Sequence, residues 1–375
     1  MDEEHLRAEF PLAPDICYLN HAAVSPLPRR AARAVQDFAW SCAHVGARDY
    51  PEWLKTEARL RQRCAALLNT TPADIAFTKN TSEALSFIAH GFPWRGGDNV
   101  VFPAEEFPSN RIVWETLAAR GVAVRPVAVT AVADPEAALL AAADAHTRLI
   151  SVSTVQYARG LVLDLARLGA ACRARGIAFC VDAIQGLGVL AHDVEAMHID
   201  FLAADAHKWL LGPEGIALFY CRPQWRERLG LFEYGWHMTE HPADYDRPDW
   251  QPARDARRFE CGSPNMLGIH ALDASLSLID QMGVPEIGRR VRARSAWLVE
   301  RIAARPDLEL LTGNEPERYA GIVTFRSRRL AAAELFGRLQ AAGVICAARG
   351  GGIRFSPHCY TPFEALQHAM ECIEP

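Results

Sequence analysis

The sequence predicts an α/β protein: a mainly parallel sheet layered between helices, followed by a smaller α+β domain. Three observations predict it. From about residue 75 to 222, short β-type runs alternate with helix-length stretches. Those runs are nearly all apolar, as strands buried on both faces of a parallel sheet should be. From residue 223 the alternation stops, and a separate helix-rich pattern takes over from about residue 266. At 375 residues the chain exceeds what one small core supports, which fits two domains.

The elements follow in order. Ile75-Ala76-Phe77 reads as a short strand and leads through Thr78-Lys79-Asn80 into a helix. Asn99-Val100-Val101-Phe102 is the next strand, and Ser109 to Arg120 the helix after it. Gly121 ends that helix, and Val122-Ala123-Val124 returns as a strand. Pro135 to Ala145 is an alanine-rich helix, then Leu149-Ile150-Ser151-Val152 a strand. Leu165 to Arg175 is a helix stopped by Gly176, and Ile177 to Val181 a strand. Strand, helix, strand at this spacing calls for parallel pairing with right-handed crossovers. Residues 223–264, rich in Trp, Pro, Asp and Arg, read as a long irregular region near a site or interface. The smaller domain then has strands at Leu308–Leu311 and Gly321–Phe325 and helices at Ala331–Ala342 and Thr361–Ile373.

Composition excludes several function classes. A net charge of −5 with scattered arginines gives no reason to expect nucleic acid or an anionic membrane as partner. Met1-Asp2-Glu3-Glu4-His5 is acidic with no apolar stretch behind it, so no secretory signal is visible. No apolar run approaches the ~18 residues of a membrane span. The ten cysteines form no C-x-x-C pair and mostly sit in apolar or helical patterns. They read as reduced thiols of a cytoplasmic protein, with neither a disulfide frame nor a metal site.

The chemistry is carried first by a lysine. Only Lys55, Lys79 and Lys208 are lysines among forty basic residues. Arginine can replace lysine as a surface charge, but it forms no Schiff base. Lys55 lies in a polar context. Lys208 ends the apolar run Phe201-Leu202-Ala203-Ala204-Asp205-Ala206-His207-Lys208, an odd setting for a solvated amine. Asp182 directly follows the strand Phe179-Cys180-Val181, with Gln185 three residues on; it is either a cap or a charge aimed at a ligand. Thr81 and Ser82 open a helix after a strand, which makes either a capping signal or a phosphate seat. Arg354, in Gly350-Gly351-Gly352-Ile353-Arg354, is a surface arginine or a carboxylate clamp. An amine for an imine, a carboxylate for a pyridinium nitrogen and a helix N-terminus for a phosphate together specify pyridoxal 5′-phosphate. Neither a G-x-G-x-x-G opening a helix after the first strand nor a G-x-x-x-x-G-K-[ST] is present.

With those residues in view, the chain resembles a fold-type I pyridoxal-phosphate enzyme of the class V aminotransferase family, which includes cysteine desulfurases, isopenicillin N epimerase and kynureninase. The resemblance runs from Tyr18-Leu19-Asn20-His21-Ala22-Ala23 to Ile353-Arg354-Phe355-Ser356-Pro357-His358. It implies a seven-stranded sheet in a large domain over 16–260, with 1–15 and 261–375 forming the small one. It implies that Lys208 forms the imine, Asp182 pairs the ring nitrogen, and Gln185 lies near the ring hydroxyl. Thr81 and Ser82 match the phosphate loop, with His207 adding a donor. Phe107 falls where an aromatic ring stacks on the cofactor, and Tyr157 looks like the kynureninase pattern. Phe259-Glu260-Cys261-Gly262-Ser263-Pro264-Asn265 resembles the segment that reaches the neighbouring subunit's phosphate, which implies a homodimer with Ser263 contributing. Arg354 matches the α-carboxylate clamp, and Asn20 and His21 line the substrate side.

Two departures matter. Asp205 stands where the family often has a phosphate-binding serine, and a carboxylate there would repel the phosphate. Desulfurases carry a nucleophilic cysteine on a long loop before the clamp arginine, whereas here Cys346 looks strand-bound and Cys359 follows Arg354. The resemblance implies an enzyme acting on a small amino acid through an external aldimine. Transamination comes first among its branches, with C–S or C–C lysis or epimerisation as alternatives. A non-catalytic pyridoxal-phosphate-binding protein is a further alternative.

Overall fold

The computed structural model describes Met1 and residues 3–373. In chain order its strands are β1 (Cys17–Tyr18), β2 (Ile75–Thr78), β3 (Asn99–Pro103), β4 (Ala123–Val127), β5 (Thr147–Ser153), β6 (Ala178–Asp182), β7 (Phe201–Asp205) and β8 (Ala217–Cys221). The C-terminal part adds β9 (Leu308–Leu310), β10 (Val323–Ser327), β11 (Val344–Ile345), β12 (Ala347–Arg349) and β13 (Gly352–Phe355).

The main sheet has seven strands in the order β2-β8-β7-β6-β5-β3-β4. Five neighbours, β7-β6-β5-β3-β4, pair parallel. β8 runs against both β7 and β2. Residues 206–216 between β7 and β8 contain no helix, so the chain has no crossover and must return antiparallel.

The apolar strands are explained by two cores, one on each face. In β6, Phe179 and Val181 enter one core while Ala178 and Cys180 enter the other; in β7, Leu202 and Ala204 oppose Phe201 and Ala203 in the same way. Alternating side chains point to opposite faces, so burial on both sides requires an unbroken apolar run. β4 departs from this. It pairs only with β3, Ala123 and Pro126 are exposed, and the missing N–H of Pro126 suits an edge.

Helices matched their expected places with shorter ends. The run from Ser109 is α-helical only to Glu115 and then tightens to a 3₁₀ turn over Thr116–Arg120. Gly121 and Gly176 both adopt left-handed φ of 73° and 67° as C-terminal caps. Residues 223–264 are largely irregular, with a short helix at Pro223–Arg226 and a 3₁₀ turn at Ala256–Phe259.

The four-stranded sheet β12-β13-β10-β9 is antiparallel and has its own core, which includes Leu298, Phe325, Leu339 and Phe355. Cys17 and Leu19 join that core, and β1 pairs parallel with β11. Leu6 and Phe10 instead pack in the large core, where Phe10 stacks on Tyr360. Helix Met266–Met282 packs on the long helices Arg29–Val45 and Tyr50–Leu67, and its apolar residues belong to the large core. Among the described residues no helix is long and apolar enough to cross a membrane.

One close approach tests this packing. Gly169, inside helix Leu165–Arg175, sits so near the chain that a Cβ would lie 1.8 Å from the Met197 carbonyl oxygen. Alanine gains about 1 kcal/mol of helix propensity over glycine, but overpacking costs about 1–3 kcal/mol. Gly169→Ala should therefore lower the thermal midpoint. A rise would mean that the turn at 197 yields freely.

Candidate active site

The candidate site gathers at the carboxyl ends of β5, β6 and β7, where an α/β sheet presents its loops to ligands. Lys208 stands three residues beyond β7 and is buried, with only 8% of its surface exposed. Lys55 and Lys79 are exposed and pair with Glu52 and Glu83 at 2.7 and 2.6 Å. Burial pushes the Lys208 amine down to about 8, with the Asp182 carboxylate pulling the other way. Asp182 is the last residue of β6, and its Oδ1 accepts the Ile184 N–H at 3.0 Å. Burial raises it to about 6, opposed by that N–H and by Lys208. β6 and β7 are adjacent and parallel, which is why an amine and a carboxylate far apart in sequence meet here.

The helix Thr81–Gly91 points its N-terminus into the same region. Asn80 caps it, accepting the Glu83 N–H at 2.9 Å, which leaves the Thr81 and Ser82 hydroxyls out of the cap. Thr81 Oγ1 accepts the Asp205 N–H at 3.0 Å, and Ser82 Oγ donates to Ser109 Oγ at 2.8 Å. The Asp205 carboxylate accepts the Ala206 N–H and lies 3.0 Å from His207 Nδ1. That contact misses hydrogen-bond geometry, so buried His207 Nδ1 has no hydrogen-bond partner. The Asp205 carboxylate is thus directed to its own backbone and to His207.

Arg354 is buried and, among the described residues, pairs with no carboxylate: Nη1 donates to the Tyr157 carbonyl at 2.7 Å, and Nε is buried without an acceptor. Burial and nearby Arg349 push it down to about 10. Tyr157 meets Phe107 edge to face at 5.2 Å, and the Phe107 ring lies 5.5 Å from Lys208 Nζ. Lys208, Phe107, Tyr157 and Arg354 thus form one continuous wall.

On the N-terminal side, Asn20 bridges to Ser356 and leaves Oδ1 buried without a partner. His21 is held at both nitrogens, with Nδ1 2.8 Å from the Ser356 carbonyl and Nε2 2.7 Å from the Tyr360 hydroxyl. Burial pushes it down to about 4, so it is neutral, donating from Nδ1 and accepting at Nε2. Gln185 has both ends of its amide engaged, donating to the Ala22 carbonyl and accepting from the Trp209 indole, each at 2.9 Å. Ser263 stands elsewhere, exposed, beside Thr78, Lys79 and Glu83 on the rim of a shallow concavity.

Sequence reading passed over Glu106. It is buried, accepts the Ser153 N–H at 2.6 Å and also binds the Ser153 hydroxyl. Ser153 is the register partner of Asp182, so Glu106 ties the loop carrying Phe107 to the strand ends. Burial, with Asp182 nearby, pushes it up to about 8. The available signal was an acidic pair, Glu105-Glu106, directly before the aromatic residue. Cys346 and Cys359 are buried, and burial pushes both thiols up to about 12, although His358 Nδ1 is 3.2 Å from Cys359 Sγ. Glu57, His237 and Glu260 lie close enough together to hold a metal ion. The guanidinium of Arg61 binds both carboxylates, at 2.7 and 2.6 Å, and already supplies the positive charge. A concavity of about 610 Å³ under Tyr234–Arg254 contains none of the residues assigned to the site.

A family model described as Aminotransferase class-V matches residues 17–370. The chain belongs to this family. A probable cysteine desulfurase from Methanothermobacter thermautotrophicus is 29% identical, covering 100% of this chain and 98% of the relative. The uncharacterized aminotransferase YcbU of Bacillus subtilis is 30% identical over 98% and 96% of the two chains. Isopenicillin N epimerase of Streptomyces clavuligerus is 30% identical over 87% and 84%. Among solved structures, a complex of the cystine C–S lyase C-DES with its product cysteine persulfide superposes with a TM-score of 0.90 at 25% identity, covering 97% and 99%. A C-DES mutant with glycine covalently linked to its pyridoxal-phosphate cofactor gives 0.91 at 24% identity over 98% and 99%, a likeness of fold.

Pyridoxal 5′-phosphate is the cofactor of this class V enzyme, and the donor set fits it. A buried amine of depressed basicity, a buried carboxylate, a capped helix N-terminus with two hydroxyls and an aromatic ring facing the amine are the groups it requires.

Imine formation needs a neutral amine. Because Lys208 is lowered to about 8 from the ordinary 10.5, the rate at which apo-protein captures the cofactor should rise through about pH 8. Asp182→Asn removes the charge that favours the ammonium form, so the midpoint should move lower still. Borohydride trapping should mark the peptide containing residue 208. Label on Lys55 or Lys79 would overturn the assignment.

Proposed function

We propose that the protein is a pyridoxal-phosphate-dependent lyase that cleaves the bond between Cβ and a sulfur leaving group of a small amino acid, without a protein thiol as nucleophile. The observation that carries an amino-acid substrate is Arg354, a buried guanidinium with no carboxylate of its own and an unsatisfied Nε. A planar fork in that state suits a substrate α-carboxylate bound bidentately. Pyridoxal phosphate held here would supply an electron sink for charge left at Cα. Asp182 would keep the cofactor's ring nitrogen protonated, because a carboxylate raised only to about 6 is charged at neutral pH. Lys208, lowered to about 8, has an appreciable neutral fraction near pH 7 and can take the Cα proton. Phe107, in edge-to-face contact with Tyr157 and facing Lys208, would stack on the cofactor ring.

Transamination uses the same residues, and the sequence reading placed it first. The lyase reading is supported by the relatives named as cysteine desulfurases and by the cystine C–S lyase likeness. The absence of a protein nucleophile is supported by the burial of Cys346 and Cys359, since the thiolate is the reactive form. We also infer a homodimer. Exposed Phe232, Tyr234, Trp236, Tyr245 and Trp250 form an aromatic surface just ahead of the Phe259–Asn265 segment, as an interface would.

The deciding assay incubates holoenzyme with sulfur-bearing amino acids, with and without a keto-acid acceptor. Pyruvate should form without the acceptor, and Cys346→Ala and Cys359→Ala should leave the rate within about two-fold of wild type. Conversion of the acceptor to its own amino acid, with the sulfur retained in the donor's keto acid, would establish transamination, and loss of sulfur release in either cysteine variant would restore a desulfurase mechanism. Arg354→Ala truncates one partner of a desolvated charge pair, at a cost of about 2–5 kcal/mol. It should raise KM roughly 30-fold or more while cofactor absorbance is retained; loss of the cofactor would make the arginine structural.

A further inference from the structure

The hairpin that carries Arg354 carries a second arginine, Arg349. β12 and β13 pair antiparallel, with Ala347 opposite Arg354 and Arg349 opposite Gly352. Residues directly opposite share a face, and so do residues two apart on one strand. Arg349 and Arg354 therefore stand on the same face as diagonal neighbours, a relation that places Cα atoms roughly 7–8 Å apart. Like charges so placed repel. Among the described residues Arg349 makes no ion pair, and Arg354 donates to a carbonyl. The contrast is Arg326 in the same sheet, which grips Glu309 through two bonds at 2.9 and 2.8 Å.

The hairpin tip is held in place. Gly350 and Gly351 turn it with φ of 63° and 86°, and a Cβ on Gly350 would lie 3.0 Å from the Ala158 carbonyl oxygen. Arg349 is thereby pinned beside the Tyr157-Ala158 segment that also receives Arg354. Arg354 is deep and Arg349 is exposed at the rim. The positive charge of Arg349 reaches both Arg354 and Lys208, lowering the basicity of each.

We propose that Arg349 is a specificity-determining residue that binds a second anionic group on the substrate's side chain, so that the preferred substrate carries a second carboxylate. This rests on the assignment of Arg354 to the α-carboxylate. A lyase that breaks a Cβ–S bond meets this anion on the sulfur leaving group, as in cystine, whose leaving half carries its own carboxylate. Turnover of aspartate or glutamate, which carry the anion on carbon, would point to the transamination branch instead.

The test uses holoenzyme and amine-free competitors that bind without reacting. Succinate and glutarate present two carboxylates; propionate and butyrate present one. Wild type should bind the better dicarboxylate about 10- to 100-fold more tightly than the monocarboxylates, the worth of one charged hydrogen-bonding contact. Arg349→Gln should erase that advantage and leave propionate affinity unchanged, and Arg349→Lys should restore part of it. Turnover of aspartate, glutamate and cystine against alanine and cysteine then identifies how the second anion is attached. Equal affinity for the two inhibitor classes, or an Arg349→Gln variant that keeps the discrimination, overturns the proposal. Propionate binding that is insensitive to Arg354→Ala would instead overturn the α-carboxylate assignment beneath it.

Discussion

An amine and a carboxylate are held out of water together at the ends of two adjacent parallel strands, and the other features of the site depend on that placement. Burial alone would strip the charge from both. Lys208 is lowered and Asp182 raised, and each limits the other's shift by attraction. The result is an amine that can lose its proton near neutrality beside a carboxylate that keeps its charge. Such a pair is tolerable only where the surrounding backbone is rigid. Here β6 and β7 lie in the middle of a seven-stranded sheet, covered by apolar cores on both faces.

Around this pair the chain uses three kinds of support. A helix N-terminus contributes backbone dipole and hydroxyls through Thr81 and Ser82, with Asn80 satisfying the cap separately. Glu106 fastens the Phe107 loop to Ser153, so the aromatic face is set by a buried hydrogen-bonded carboxylate. The second, antiparallel sheet presents Arg354 across from Lys208 through the Tyr157 carbonyl, so the substrate side is built where two separate cores meet. An unpaired guanidinium there costs stability on its own, and in this fold that cost falls at the proposed substrate site.

The architecture was legible because local physics determines it. Parallel strands buried on both faces must be continuously apolar, and the glycines at 121 and 176 had to end helices. Lys208, Asp182 and Arg354 were legible because each residue type is costly in its context: a lysine kept in an arginine-rich chain, a carboxylate directly after a buried strand, an arginine following three glycines. The antiparallel β8 was not anticipated, since a missing helix between 205 and 217 is a weaker signal than a present one. Glu106 was missed because its significance is its burial against Ser153, a residue 47 positions away.

The sequence by itself determined the α/β class, the alternation of strands and helices from residue 75 to 182 and the residue types that make pyridoxal-phosphate chemistry possible. These follow from periodicity, from capping and from what an amine can do that a guanidinium cannot. Only the tertiary structure decided which groups are charged, paired or free. Both nitrogens of His21 and both ends of the Gln185 amide proved to be engaged by the protein, while among the described residues Arg354 and Arg349 pair with no carboxylate. Desolvation and pairing are properties of a residue's surroundings in space, and those surroundings are assembled from segments distant along the chain.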